Sequence, residues 1–164
     1  MKRVRAIAIL LVCLVAATSA QETATPEQLF EQGKKQFDAF QYDQAVPLFD
    51  KLIAALTAGG PGVPVQKPEL LIQAYEHRAR ARFALGDSAG ADQDFAELLG
   101  LKPDFALAAG VSPRLIKVLD NVRRVTIGRL SVQVTPPGPV TIDGKVYQVT
   151  AEPMVFDIKA GEHT

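Results

Sequence analysis

The sequence predicts an α+β protein in two modules, helical hairpins first and a small antiparallel β-unit second. Up to about Val125 the apolar residues fall at helical spacing, and from Leu130 onward they alternate with polar ones. The habit of the chain therefore changes near Gly128. A glycine- and proline-rich stretch over residues 57–68 divides the helical part again, and 164 residues suffice for two small domains.

The N-terminus comes before either module. Lys2, Arg3 and Arg5 precede the apolar run of residues 6–17, which ends in Thr18, Ser19 and Ala20. That order of basic, apolar and small residues predicts a secretory signal peptide over 1–20, cleaved after Ala20, with an uncleaved anchor as the alternative. The run is shorter than the roughly 20 residues a spanning helix needs, so the membrane is met only through this segment. Cys13 is the only cysteine, and Val12 occupies the preceding place where a lipidation signal wants a small residue. The expected mature chain has no cysteine for a disulfide or a thiolate site. Export to the periplasm or surface of a bacterium follows from this reading.

Residues 21–164 hold 15 basic and 18 acidic side chains, the opposite of the basic footprint a nucleic-acid binder needs. Residues 21–110 carry 8 bases and 13 acids and residues 111–164 carry 7 and 5, in keeping with two modules of different surface.

Thr25-Pro26-Glu27 reads as a cap, a proline at the first helical position and an acid behind it. Leu29, Phe30, Gly33, Phe37 and Phe40 mark one face of a first helix ending near Gln41. A second helix follows with Ala45, Val46, Leu48, Phe49, Leu52, Ile53 and Leu56 inward, Asp43 as its cap and Pro47 near its first turn. Pro68 opens a third helix carrying Leu71, Ala74, Tyr75, Ala79, Phe83 and Leu85. Gly86-Asp87 turns it, and Ala91, Phe95, Leu98 and Leu101 line a fourth helix up to Pro103. The expected hairpins span 26–57 and 68–103.

Gly33…Tyr42-Asp43-Gln44-Ala45…Phe49 and Ala79…Gly86-Asp87…Ala91…Phe95…Pro103 resemble the tetratricopeptide repeat, an α-solenoid family. Small residues at Gly33, Ala45, Ala79 and Ala91 match where that family packs its two helices closely, and Phe49 and Phe95 match its gap-filling large residue. The pattern departs at the tryptophan-like slot, held by Leu29 and Tyr75, and at the tyrosine slot, held by Gln36 and Arg82. Ala91 follows Ala45 by 46 residues, whereas the family repeat is about 34. The excess is the loop insertion 57–68, a surface connector that costs little free energy to lengthen. A short array leaves an apolar face exposed, and a capping helix over 112–126 is expected to cover it, begun by Ser112-Pro113 with Leu115, Val118, Leu119, Val122 and Val125 in one stripe. Arg123 and Arg124 suit its C-terminal dipole.

From residue 128 the period is two, with Leu130, Val132 and Val134 on one face. Val140-Thr141-Ile142 follows a proline-glycine turn, Asp143-Gly144 marks a tight hairpin, and Met154, Phe156 and Ile158 form another inward set. Pro137-Gly138-Pro139-Val140-Thr141-Ile142-Asp143-Gly144, with Ala160-Gly161-Glu162-His163 as a late turn, resembles the PEGA domain. Pro137 and Pro139 depart from its literal motif. The resemblance implies a small antiparallel β-sandwich over 128–164, truncated so that the strand around 154–159 keeps an open edge.

Catalysis has little to work with: His77 and His163 are the only histidines, no nucleophile is placed beside them, and no phosphate loop or metal spacing occurs. The expectation is a non-enzyme with no cofactor and no metal site. His77, Asp92 and Asp94 read as solvated surface, Arg78 and Arg82 as a solvated face with buried aliphatic stems, and Arg80 as able to pair with Glu76. The tetratricopeptide resemblance implies a concave face lined by the first helix of each hairpin, giving Phe30, Lys34, Phe37, Glu76, Arg80 and Phe83 as partner-binding residues. The expected function is an envelope scaffold that binds a protein segment there, while the β-unit contacts envelope or surface components. The alternatives are a carbohydrate or peptidoglycan binder and a non-catalytic subunit of an envelope enzyme or export complex.

Overall fold

The computed structural model describes residues 24–60 and 65–164. The expected signal peptide and the centre of the inserted loop lie outside the described residues. The described residues are α+β, with five helices followed by small antiparallel sheets. In order these are α1 (Pro26–Asp38), α2 (Tyr42–Thr57), α3 (Pro68–Ala84), α4 (Ser88–Leu101), α5 (Pro113–Thr126), β1 (Ile127–Val132), β2 (Gly138–Ile142), β3 (Lys145–Val149) and β4 (Met154–Lys159).

The helix starts follow local chemistry. The Thr25 side chain accepts from the Gln28 backbone N–H while the Gln28 side chain accepts from Thr25, a reciprocal capping box ahead of Pro26. Asp87 accepts from the Gly90 N–H to start α4, and Ser112 accepts from Arg114 to start α5. Asp43 does not cap α2: the N-cap is Gln41, without a side-chain bond, and Asp43 sits inside the first turn, where its charge suits the helix dipole. The first helix also stops earlier than expected, at Asp38, and Pro47 falls in the second turn of α2 on an exposed face.

α1 packs on α2, α3 on α4 and α2 on α3, and α1 also meets α3. Shifting the first hairpin by 46 residues superposes its chemistry on the second. Ala45 and Phe49 correspond to Ala91 and Phe95, Leu52 and Ile53 to Leu98 and Leu99, and all eight are buried. The turns correspond as well. In the first, Phe40 N–H donates to Phe37 O and Gln41 N–H to Gln36 O; in the second, Gly86 donates to Phe83 and Asp87 to Arg82. Both are helix terminations closed by one left-handed residue, with φ 61° at Phe40 and 85° at Gly86.

The core runs unbroken from Leu29 and Phe30 through Phe49, Leu71, Phe95 and Leu98 to Leu115, Leu119 and Val122, so α5 covers the outer side of α4. Arg123 stands in the last turn of α5, where its charge suits the helix dipole. Its guanidinium donates to the carbonyls of Pro103 and Phe105, which ties the α4–α5 connection down.

α5 runs directly into β1. β1 pairs antiparallel with β4 from Ile127↔Lys159 to Val132↔Met154, and β2 pairs with β3 through a two-residue turn. Asp143 and Gly144 have φ 49° and 76°, the left-handed pair such a turn requires. Sidedness follows the alternation, with Met154, Phe156 and Ile158 inward on β4. The two ladders meet through Tyr147 and Phe156, whose ring centroids are 4.8 Å apart. Only Ile142 and Val149 are buried within the ladders, so this core is thin. Lys159 joins β4 to α4 through Glu97 at 3.6 Å.

A clasp closes the β2–β3 turn. His163 places Nδ1 2.7 Å from Asp143 Oδ2 and Nε2 2.5 Å from the Lys159 carbonyl. Both partners are acceptors, so only the imidazolium satisfies both. The Asp143 carboxylate raises the His163 pKa from its ordinary 6.5, and the His163 bond lowers that of Asp143 from 3.8. The histidine's contribution is therefore complete below pH 6.5 and lost as pH rises through its raised value. The aspartate's is present above pH 3.8 and lost as pH falls through its lowered value. Ring-proton NMR of His163 should show a midpoint above 6.5 that falls in Asp143→Asn. A midpoint unmoved by that substitution would contradict the clasp.

Candidate protein-binding face

Position 46 residues on from Lys34 is Arg80, and from Phe37 is Phe83, so α1 and α3 present equivalent cation and aromatic positions. Across the α1–α3 contact, the guanidinium of Arg80 stacks over the Phe37 ring, 4.9 Å from its centroid. Glu76, one turn back on α3, holds Arg80 at 3.1 Å, and both side chains stay partly accessible. The expected Glu76–Arg80 pair is thus present, and the ring adds a second restraint. Phe37 also meets Tyr42 edge-on at 5.3 Å. Lys34 lies one turn before Phe37 and binds Asp38 at 2.6 Å, both exposed. Phe83 is half-buried against the core one turn beyond Arg80.

Phe30 is a correction to the expected set. It is only 9% exposed and packs against Phe49 and His77, with centroids at 6.2 and 5.5 Å, because the α1 position facing α2 and α3 lies beneath the face. It supports the surface from below and offers nothing to a partner.

His77 is not a solvated residue either. Its ring sits among Phe30, Phe37 and Phe49, at 5.2–5.6 Å, and Nδ1–H donates to the Gln73 carbonyl at 2.9 Å. It is the filler that sets the height of Phe37.

Arg78, Arg82 and Asp94 depart furthest from expectation. Asp94 is fully buried. Arg78 forks onto it through Nε and Nη2 at 3.0 and 2.5 Å, and its Nη1 reaches Asp50 at 2.6 Å. Arg82 Nη1 adds a second bond to Asp94 Oδ2, the oxygen that Arg78 Nε also uses, at 3.1 Å. Two arginines of α3 are thereby tied to α2 and α4 at once. Burial pushes the Asp94 carboxyl up, against the pull of Arg78 and Arg82. Burial works against the charge on Arg78 too, but its bonds to Asp94 and Asp50 carry its pKa above the ordinary value. The signal was present in the sequence: Asp94 stands three residues after Ala91 and four before Leu98, on the inward stripe, and corresponds to Leu48 of the first hairpin.

Together these groups make a surface with a partly accessible, pre-oriented guanidinium, a ring beneath it and exposed charges one turn away. Among the described residues no group of three or more His, Cys, Asp or Glu is placed to hold a metal ion. Comparison with known proteins finds no matching family profile, no matching curated protein and no matching solved structure.

Proposed function

We propose that this chain is a non-catalytic, exported scaffold that binds a protein segment across the face of α1 and α3. In this reading the two hairpins are a short tetratricopeptide-like array capped by α5, and the β-unit is a PEGA-like sandwich that contacts envelope or surface components. The observation that carries it is Arg80, stacked on Phe37 and held by Glu76 between two hairpins related by a 46-residue shift. A guanidinium fixed in this way has lost its rotamer freedom before a partner arrives, which lowers the cost of binding. Its remaining N–H groups can receive a carbonyl or carboxylate of the segment, and the Phe37 edge and Lys34 extend the contact along α1.

Pull-down from an envelope extract, with wild type, Phe37→Ala and Arg80→Glu as bait, tests the proposal. A partner captured by wild type should be lost from both variants while their melting midpoints stay near that of wild type. Equal capture by all three would overturn it.

A further inference from the structure

The two hairpins close their first helices with the same turn but fill its left-handed position differently. Gly86 occupies it in the second, as the conformation demands, whereas the first places Phe40 there at φ 61°. A bulky side chain at positive φ is strained. The ring gains little internally, since Phe40 is 78% exposed. Strain and exposure both oppose phenylalanine, and the homologous turn of the same chain shows that glycine suffices for the fold.

Phe40 stands at the end of an aromatic ladder. It meets Tyr42 edge-on at 6.2 Å, and Tyr42 meets Phe37, over which Arg80 is stacked. One residue past Tyr42, Asp43 is exposed and, among the described residues, takes part in no ion pair. The molecule thus already shows a guanidinium held between a ring and a carboxylate, Arg80 between Phe37 and Glu76, and at this corner a second ring and carboxylate face outward.

We infer that the α1–α2 corner docks an arginine-bearing segment of a partner protein, with Phe40 as the stacking platform and Asp43 as the counter-charge. Arginine fits better than lysine, because its planar, weakly hydrated guanidinium stacks on a ring while bonding a carboxylate in its plane. The site adjoins the face proposed above through Tyr42, which meets both Phe37 and Phe40, but Phe40 and Asp43 lie outside that face, so either can fail alone.

The test uses the full chain and two readouts. Phe40→Gly should raise the melting midpoint, by about 2–4 °C in a chain of this length for a relief of about 1 kcal/mol. By amide NMR, N-acetyl-Leu-Arg-Leu-amide should shift resonances around residues 38–44 in wild type. The lysine and glutamine versions of that peptide should shift them several-fold less. Phe40→Gly should lose the arginine response and Asp43→Asn should weaken it, with a midpoint lowered only slightly by the lost charge at the start of α2, while Arg80→Ala, which disables the neighbouring face, should keep it. A lowered midpoint in Phe40→Gly would show the ring to be structural and overturn the inference. So would equal responses to the three peptides, or a response that survives Phe40→Gly. Self-association of wild type abolished by Phe40→Gly would assign the corner to a second copy instead.

Discussion

Asp94→Ala should cost about 3–5 kcal/mol in denaturant unfolding, because it leaves the Arg78 side chain, only 13% exposed, with its fork unanswered. Arg78 would keep Asp50, but Asp50 lies toward solvent, with nearly half its side chain exposed, and Arg82 would lose its closest carboxylate. Asp92→Ala, two residues away and exposed, should stay within about 0.5 kcal/mol of wild type. The first hairpin indicates how the loss could be repaired. Leu48 fills the place of Asp94 there, so Asp94→Leu combined with Arg78→Met should recover much of the stability that either change alone removes. A cost below about 1 kcal/mol for Asp94→Ala would mean the network does not hold the hairpins together.

Phe49→Ala and Phe95→Ala should each cost about 3–5 kcal/mol, since both rings are completely buried at the centre of a hairpin. The two should differ in reach. Phe49 lies so close to Gly33 that a Cβ there would come 2.9 Å from its ring, and it also supports Phe30 and His77. Removing it should therefore disturb the Phe37–Arg80 stack as well as the core. Phe95→Ala should destabilise without altering that stack. Denaturant titration supplies the energies, and shifts in the Phe37 ring protons supply the distinction. Similar ring shifts in both variants would contradict the packing described.

Periodicity and caps made most of the architecture readable in advance. Thr25-Pro26 and Ser112-Pro113 begin helices, Asp143-Gly144 makes the turn that its left-handed pair favours, and the inward set of β4 is the one alternation marks. The misreadings share a cause. A polar residue on an apolar stripe looks like solvated noise until its partner is known, and the partners of Asp94 come from another helix, Arg78 being 16 residues away. The periodicity of α3 gives no sign of the rings around His77, which arrive from α1 and α2. Phe40 looked like one more apolar residue on a helical face, yet α1 ends two residues before it and leaves it in a strained turn. Among the expected face residues, Phe30 was lost because spacing identifies a stripe without saying which edge of it lies beneath a neighbouring helix.

The face of α1 and α3 is proposed to receive a protein segment. A photo-reactive amino acid introduced in place of Lys34, one turn from Phe37 on that face, tests it most directly when compared with the same group in place of Lys51, exposed on α2. Irradiation in the presence of envelope extract should join a partner segment to position 34 and not to position 51, and Arg80→Glu should abolish the product. Crosslinking from position 51 with none from position 34 would contradict the account.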